Sequence, residues 1–290
     1  MNYPKIPIFF LAAAMSTSTL AIADDDGEEP FDEARLFFEL NDTDGDLGIH
    51  GKIDGDEWKY LEIEDPRDRK MMHVWVRGRL RRQGLTELFF ESAEPPFEGE
   101  DSLDPERFFK RFPEGEYDIE GITLDGEERE SEVYLSHVIP AAPDGITVNG
   151  ATLPEGCDGE LPVINPTGGV TISWNAVTMS HAAKWAGDED KIALGEDGPI
   201  QVRYYEVVVE VDETDFKSTS IIPPQDGVNS WTLPEDFFGL SEEGEYKIEI
   251  LVRTNIFDDD GELVVVDVDG EEAPVPGNKS AVESCFAVAD

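Results

Sequence analysis

Basic residues are scarce in this sequence, and the scarcity excludes several classes of partner. The 290 residues include 22 Lys and Arg against 66 Asp and Glu, for a formal net charge of −44. A field of that sign repels nucleic-acid phosphates and anionic membrane surfaces, so we expect neither as a partner. A salt-adapted surface explains the excess better than an acidic face made for one partner. Hydrophobic content of 39%, with 16 Phe and 5 Trp, is sufficient for folded cores.

Long apolar runs are missing beyond the N-terminus. Met1–Ala23 has the pattern of a secretory signal, with Lys5 before the short apolar run Ile6–Met15. That run is too short to span a bilayer, and no later run is long enough. We therefore expect an exported protein, periplasmic or extracellular, with no membrane insertion after cleavage. A retained N-terminal tether is the alternative. Residues 24–30, DDDGEEP, are predicted to be a disordered acidic lead.

Cysteine is nearly absent, with Cys157 and Cys285 as the only two. An even pair in an exported protein predicts a disulfide, and two separately buried thiols are the alternative. No Cys-x-x-Cys or Cys/His spacing typical of a zinc site occurs.

Motifs for catalysis are also missing. The four histidines are scattered and form no HExxH pattern, and the sequence has neither a GxSxG elbow nor a nucleotide-binding glycine motif. We predict a protein that is not an enzyme. Glycoside hydrolysis, which needs only two placed carboxylates, stays the open alternative in so acidic a chain.

Residues 31–139 are predicted to form a mostly β domain with short helices. Apolar residues near helical spacing in Phe31–Leu40 predict an amphipathic helix. Alternation in Trp58–Glu64 and His73–Arg82 predicts strands. Further predicted elements are a strand at Leu85–Glu91, a helix at Glu106–Phe112, and a hairpin of Tyr117–Thr123 with Glu130–His137.

Pro140–Pro143 is predicted to separate this domain from a second one, residues 140–290. Regularly spaced strand patterns in the second region predict an antiparallel sandwich. The predicted strands are Ile146–Val148, Gly169–Trp174, Val202–Val211, Ser230–Leu233, Glu245–Arg253, Leu263–Val268 and Ser280–Val288. The predicted fold class is therefore mainly β, with two β-sandwich-like domains.

The second region resembles a fibronectin type III domain. Trp174 in VTISW is similar to the core tryptophan of that family's second strand. Tyr204 and Tyr205 in RYYEVVVE match the third strand, and Tyr246 in LSEEGEYKIEI matches the tyrosine-corner strand. The resemblance covers roughly the C-terminal half of the chain.

Two segments depart from that family's pattern. Ser180–Pro199 is a long insertion between the tryptophan and tyrosine strands, and Asp258–Pro276 is an acidic excursion before the last strand. The resemblance implies a sandwich fold in a family that serves chiefly as an interaction and spacer module. Fold alone does not determine function.

The stretch Asn41–Glu57, NDTDGDLGIHGKIDGDE, is predicted to be a calcium loop. Its D-x-D-x-D alternation offers the oxygen ligands that Ca²⁺ prefers, and its glycines permit tight turns. The predicted ligands are Asp42, Asp44, Asp46, the Gly48 carbonyl, and a closing carboxylate from Asp54, Asp56 or Glu57. We expect structural Ca²⁺, and a solvated acidic turn is the alternative.

The loop also resembles an EF-hand or dockerin-type calcium loop over about twelve residues. Leu47 stands where that pattern has glycine, and Ile53 stands where it has the bidentate glutamate. Because an alternating strand pattern follows the loop, we expect a helix–loop–strand clamp that braces the N-terminal domain.

Aromatic and arginine side chains suggest ligand sites. Trp75, Arg77 and Arg79 lie on one predicted strand face, where the arginines could bind an acidic glycan. Cross-strand pairing with glutamates is the alternative. Trp185, in the polar insertion, is the better candidate for an exposed sugar-stacking ring, although most strand aromatics belong to cores.

These features favour an exported, calcium-stabilised adhesion or surface-interaction protein whose partner is a cell-surface protein or a glycan. The alternative is an extracellular protein that binds or acts on polysaccharides.

Overall fold

The computed structural model describes residues 29–97, 102–189, 191–211, 214–239, 244–258, 260–268 and 271–289. The predicted signal peptide and most of the predicted acidic lead lie outside these residues. The fold is mainly β with few short helices, which confirms the predicted class. Within the described residues, no helix has the length and apolar character needed to cross a membrane.

The strands and helices are short apart from three long strands. The strands are β1 (Glu33–Asn41), β2 (Asp46–Asp65), β3 (Arg69–Trp75), β4 (Leu85–Glu91), β5 (Gly115–Thr123), β6 (Glu128–Leu135), β7 (Thr147–Val148), β8 (Ala151–Thr152), β9 (Val163–Ile164), β10 (Val170–Asn175), β11 (Val202–Val211), β12 (Lys217–Ile222), β13 (Val228–Leu233), β14 (Glu245–Asn255), β15 (Val265–Val268), β16 (Glu271–Pro274) and β17 (Pro276–Val288). The helices are α1 (Gly78–Gln83), α2 (Pro105–Arg111) and α3 (His181–Lys184), with a 3₁₀ turn at Glu235–Gly239.

One large sheet runs through both halves of the chain. Its strand order is β12-β11-β14-β17-β1-β2-β5-β6, with β3 and β4 paired to β2 and β9 paired to β17. The parallel pairing of β1 with β17 joins the N-terminal strands to the C-terminal ones. The sheet is thus continuous on both sides of Pro140–Pro143, while each half has its own hydrophobic core. The division into two domains at that point stays a prediction.

The C-terminal core lies between two sheets. The smaller sheet, β13-β10-β7-β8, faces β12-β11-β14-β17, and apolar side chains from both fill the space between them. Trp174 of β10 and Tyr205 of β11 are fully buried there, with ring centroids 5.4 Å apart in an edge-to-face arrangement. Tyr246 of β14 is buried in the same core. Three of the four residues that carried the family resemblance therefore lie at the centre of this sandwich, while Tyr204 is half-buried outside that core.

The N-terminal core forms where the sheet bends along β2. The first half of β2 pairs with β1 and β4, and its second half pairs with β3 and β5. Both of the pairings that span the middle of β2 are irregular between Asp54 and Tyr60. Trp58, fully buried at this bend, and Phe108 of α2 belong to the enclosed core.

The predicted helix at Phe31–Leu40 is wrong, because this segment forms strand β1. Leu36 and Phe38 point into the N-terminal core as alternation requires. Phe37, on the opposite face, is also buried, with the Arg253 guanidinium 4.2 Å from its ring centroid. Burial on both faces removed the alternation and left apolar residues at a spacing that imitates a helix.

The predicted strand at His73–Arg82 is wrong in its second half. β3 ends at Trp75, and the chain then turns into α1. Gly78 has φ +68°, a left-handed conformation that ends the extended backbone and that glycine adopts without a steric penalty. Arg77 and Arg79 consequently do not share a strand face with Trp75, and both are exposed.

The predicted disulfide between Cys157 and Cys285 is confirmed. It joins the loop that follows β8 to β17, with the two Cα atoms 4.9 Å apart. Backbone contacts flank it, since the Gly156 N–H donates to the Glu283 carbonyl at 3.0 Å. The cross-link therefore fastens a loop of the sandwich to the strand that bridges both halves.

Candidate functional site

The insertion, residues 180–199, lies against the N-terminal half of the molecule. Ser180 caps α3, its hydroxyl accepting from the Ala183 N–H at 3.1 Å. The same hydroxyl bonds Asp197 at 3.1 Å, which closes the base of the segment. Leu194, only 1% exposed, packs into the N-terminal core. A segment that begins in the C-terminal sandwich thus helps to complete the other core.

The predicted calcium loop is a tight β-hairpin turn. Asn41 of β1 pairs directly with Asp46 of β2, leaving four residues in the turn. The Asn41 side-chain oxygen accepts the N–H groups of Thr43 and Asp44 at 3.1 and 3.2 Å. Gly45 completes the turn with φ +67°. The expected helix–loop–strand clamp is therefore wrong, because a strand precedes the turn.

The hairpin separates the predicted closing carboxylates from the turn. Since a strand rises about 3.3 Å per residue, Asp54 lies roughly 26 Å along β2 from Asp46. Asp56 instead binds Arg129 at 2.8 Å. The Glu57 carbonyl accepts from the Leu124 N–H at 2.7 Å, beside another hairpin. Gly48 lies within the β1–β2 ladder. The predicted ligands are therefore not brought together as one calcium site.

Asp42 in this turn contacts the insertion. The Leu194 N–H donates to His181 Nδ1 at 3.1 Å, so His181 Nε2 carries a proton and donates to Asp42 Oδ1 at 3.1 Å. Burial raises the pKa of Asp42, but His181, followed by Lys184 and Lys191, outweighs burial and brings that pKa below its usual value. Asp42 is thus an ionised link between the turn and the insertion.

Asp46, at the start of β2, lies among other carboxylates. Burial first, and then the charges of Glu94 and Asp44, raise the pKa of Asp46 to about 6. Glu94 also bonds the nearly buried His50 at 2.8 Å. This end of the hairpin consequently concentrates negative charge that a bound cation would offset.

Trp185 lies in a cleft beside the same turn. Two adjoining clefts of about 270 and 260 Å³ share Asp42 and Lys191 in their linings, and Trp185 lines the first. The ammonium groups of Lys184 and Lys191 lie 5.1 and 5.2 Å from the centroid of the half-buried indole ring. Within the described residues the buried indole N–H has no hydrogen-bond partner. We call this pair of clefts the Trp185 cleft.

Carboxylates complete the polar rim of the Trp185 cleft. Asp144 pairs with Lys184 at 3.0 Å, and Glu155 lies 3.7 Å from Lys191. Together with Asp42 they place hydrogen-bond acceptors next to ammonium donors around one aromatic surface. The sequence predicts an exposed ring at Trp185, whereas the structure has it half-buried in the cleft, and its role in binding stays a prediction. Asp144 and Glu155 were not predicted as site residues.

The other predicted ligand-contacting residues lie elsewhere. Trp75 is 51% exposed and packs against Tyr60, with ring centroids 4.7 Å apart. Arg77 and Arg79 lie at α1, and none of these three residues lines the Trp185 cleft. Cross-strand pairing of these arginines with glutamates is the alternative that the sequence leaves open. In the structure, Lys70 forms such an ion pair with Glu62 on the neighbouring strand.

Sequence reasoning missed a group of three potential metal ligands. Among the described residues, donor atoms of Glu114, His137 and Glu196 all lie within 4.8 Å of one another, the only such group of three side chains there. They come from the turn between α2 and β5, the segment that follows β6 and the insertion, so no local spacing connects them.

A third cluster lies on the sheet face that points away from the C-terminal core. Glu249 of β14 pairs across the ladder with Glu283 of β17. Burial, followed by the charges of Glu283 and Glu39, raises the pKa of Glu249 to about 7. Lys247 pairs with Glu283 at 2.7 Å and offsets part of this repulsion.

This raised pKa predicts how stability depends on pH. Between pH 4.5 and about 7 the folded protein keeps a proton on Glu249. The unfolded chain, in which this carboxyl has its usual pKa of 4.5, has already lost that proton over the same range. Glu249 therefore contributes stability that is fully present below pH 4.5 and is lost as pH rises to about 7. Glu249→Gln is expected to raise the free energy of unfolding at pH 8 by about 1–2 kcal/mol, after allowance for solvent screening.

Urea unfolding at pH 5 and pH 8 measures this effect. The exposed Glu262→Gln is the matched control, since it removes the same charge from the chain. The difference in the free energy of unfolding between pH 5 and pH 8 should be smaller in Glu249→Gln than in the wild type. In the control variant it should equal the wild-type difference. Equal pH dependence in all three proteins would show that Glu249 does not titrate differently in the fold.

Comparisons with known proteins give only structural overlaps. No protein-family model matches the chain, and no curated protein matches it. One similar structure comes from a 1.5-MDa bacterial ice-binding adhesin studied for host cell surface retention, at 10% identity over 90% of this chain, with a TM-score of 0.22. Another is a Ca²⁺-stabilized adhesin with which an Antarctic bacterium binds ice, at 12% identity over 88% of this chain, with a TM-score of 0.23.

A third overlap is with the FN1–FN3 domains of chicken CNTN1, at 10% identity over 90% of this chain and 69% of that one, with a TM-score of 0.25. This chain spans 66% and 49% of the lengths of the two adhesin chains. TM-scores this low do not establish a common fold, and no property of these proteins is transferred to this chain.

Proposed function

We propose that this chain is an exported, non-enzymatic surface-interaction protein that binds a glycan in the Trp185 cleft. The observation that carries the proposal is a half-buried indole ring with ammonium and carboxylate groups around it, in a cleft of about 270 Å³. An indole face stacks on the apolar face of a sugar ring, and the surrounding groups donate to and accept from its hydroxyls.

The charge of the chain narrows the class of glycan. A net charge of −44 repels polyanions at long range, so we propose a neutral sugar in place of a sulfated or uronate-rich polymer. Lys184 and Lys191 are already engaged by Asp144 and Glu155, which leaves local charge nearly balanced at the ring. Local balance suits hydroxyl groups better than a carboxylate or a sulfate.

The sandwich formed by the C-terminal half supports the same class of function. Four strands, β12-β11-β14-β17, face the sheet that contains β13, β10 and β7, with Trp174 and Tyr205 packed between them. This arrangement supports the resemblance to fibronectin type III domains, whose sandwiches mostly serve as interaction modules and spacers. It does not identify a partner.

A glycan array tests the proposal, with Trp185→Ala compared with Trp75→Ala. Both variants remove a solvent-accessible tryptophan, and only the first lies in the cleft. We expect the wild type and Trp75→Ala to bind neutral glycans and Trp185→Ala to lose at least tenfold in affinity. An array without binding, or binding that is lost only in Trp75→Ala, would contradict the proposal.

Structural calcium at the hairpin turn is a second proposal, now based on fewer residues. The raised pKa of Asp46, caused by burial and by Glu94 and Asp44, supports it.

We expect EDTA to lower the melting temperature by several degrees in the wild type. In Asp44→Asn, which removes one of the crowding charges, EDTA is expected to have little effect. Glu262→Gln, far along the chain, is the control. Identical melting curves with and without EDTA in the wild type would remove calcium from this turn.

A further inference from the structure

We propose that Glu114, His137 and Glu196 form a binding site for a divalent transition-metal ion of the zinc type. Their donor atoms lie within 4.8 Å of one another. They lie in a cleft of about 560 Å³ that is separate in its lining residues from the Trp185 cleft. The site is independent of the proposed glycan binding and of calcium at the hairpin turn.

His137 presents one ring nitrogen to the site. Its Nε2 donates to the Phe112 carbonyl at 2.8 Å, because a carbonyl oxygen can only accept. This bond fixes the tautomer and leaves the lone pair of Nδ1 as the metal donor, the role that a backbone carbonyl commonly has behind a metal-binding histidine. In the described part of the chain Nδ1 forms no hydrogen bond, and its nearest carboxylate oxygen, on Glu196, is 3.9 Å away.

The imidazole is held in this orientation. His137 is 9% exposed, and its ring packs against Phe109 with centroids 4.8 Å apart. The side chain is largely buried, with 11% of it exposed, and its unpartnered Nδ1 faces the two carboxylates. Because His137 lines the cleft, a metal ion in the cleft can approach this nitrogen.

Both carboxylates are positioned by the backbone around His137. Glu114 Oε1 accepts the His137 N–H at 2.7 Å and the Ser136 hydroxyl at 3.0 Å. Glu196 follows Gly195, and the Glu196 N–H donates to the His137 carbonyl at 3.0 Å.

Gly195 makes this close approach of the insertion possible. It has φ +70°, and a Cβ atom there would lie 2.2 Å from the His137 carbonyl oxygen. A residue with a side chain would push Glu196 away from the histidine. Glycine at this position consequently brings the third donor into the group.

The donor set selects the class of metal. One imidazole nitrogen with two carboxylate oxygens suits Zn²⁺ and its first-row neighbours, whereas Ca²⁺ takes oxygen ligands almost alone. Donor atoms around tetrahedral Zn²⁺ are about 3.4 Å apart, so binding requires closure by roughly 1 Å. The exposed Glu196 side chain is free to make that movement, and the open cleft leaves a coordination position for water.

Basic residues also line the cleft and define the competing explanation. Arg67 and Lys110 lie in its lining, although no ion pair within 4.0 Å joins either of them to Glu114 or Glu196 among the described residues. If the three groups were only a structural cluster, the carboxylates would be neutralised by these cations and a protonated His137. Metal titration distinguishes the two cases.

Isothermal titration of the full chain with ZnCl₂, in buffer that contains millimolar CaCl₂ to occupy the acidic surface, tests the site. We expect one saturable site, weakened at least tenfold by Glu196→Gln. Glu106→Gln removes an equal charge from an exposed residue of the same cleft and should change the affinity less than twofold. Near-ultraviolet circular dichroism verifies that each variant is folded.

Nitrogen NMR of the histidine rings supplies a second readout. On addition of Zn²⁺ we expect the Nδ1 resonance of His137 to move while its Nε2 stays protonated. Absence of a saturable site would overturn the proposal. Equal weakening by Glu196→Gln and Glu106→Gln would also overturn it, since that pattern indicates general attraction to an acidic surface.

Discussion

Replacing Cys157 and Cys285 together by alanine is expected to lower the free energy of unfolding by about 4–5 kcal/mol. The disulfide closes a loop with a sequence separation of 128, and in the chain-entropy model a loop of that length restricts the unfolded chain strongly. The folded structure around it is held by other contacts. Gly156 donates to the Glu283 carbonyl, and the Ser284 hydroxyl donates to the Pro154 carbonyl at 2.5 Å.

The double variant should therefore fold at low temperature and unfold at lower urea concentration. Urea denaturation under non-reducing conditions measures the change, and the wild type in reducing buffer is the control, since it should lose a similar amount. A loss below about 1 kcal/mol would show that the unfolded chain is not restricted as the model requires.

Asn278→Ala is expected to lower the free energy of unfolding by about 3–5 kcal/mol, because three hydrogen bonds, two buried and one partly buried, are lost together. Asn278 of β17 is 3% exposed. Its Oδ1 accepts the Phe38 N–H of β1 at 2.8 Å, and its Nδ2 donates to the Ser136 and Val138 carbonyls at 2.8 and 2.9 Å. Alanine leaves these backbone groups buried without partners. The side chain thus links β17 to β1 and to the segment that follows β6.

Asn175→Ala is the matched control for this measurement. Asn175 also bonds through its side chain, to Asp144 at 2.9 Å, but it is exposed, so its loss should cost no more than about 1 kcal/mol. Urea denaturation followed by circular dichroism compares the two variants. Similar losses for both would mean that the contact between β1 and β17 contributes little to holding the two halves together.

Local sequence patterns correctly predicted those strands and helices whose burial follows the ordinary pattern for their type. Val202–Val211 was predicted with the bounds that β11 has, since its many valines and its two tyrosines are typical of a strand. Asp104 and Pro105 correctly predicted the start of α2, where the Asp104 carboxylate accepts the Arg107 N–H at 3.3 Å. Turn chemistry around Gly126 likewise predicted the hairpin of β5 and β6.

The failures arise where long-range contacts override local spacing. Phe31–Leu40 imitates a helix because Phe37 is buried on the second face of the strand. Lys217–Ile222, which forms the edge strand β12, was missed because its polar residues give little strand signal. The parallel pairing of β1 with β17 joins segments from opposite ends of the chain, and no property of either sequence specifies that partner.

The candidate sites were predictable to different degrees. Trp185 was predicted as a ligand-contacting ring because it lies in a polar insertion, and this role stays a prediction. Asp42 was predicted as a calcium ligand, and the structure places it against His181. Glu114, His137 and Glu196 come together only because Gly195 lets the insertion reach the His137 carbonyl. The spacing of these three residues in the sequence does not indicate that the insertion contacts the His137 carbonyl. Sites assembled by a long insertion therefore need the fold before they can be recognised.

Titration of ¹⁵N-labelled protein with a neutral glycan that binds on the array, followed by indole N–H resonances, decides whether the Trp185 cleft is the ligand site. We predict a saturable shift of the Trp185 resonance, with no comparable shift at Trp75, and loss of binding in Trp185→Ala. Saturable binding that leaves the Trp185 resonance unmoved would contradict the proposed site.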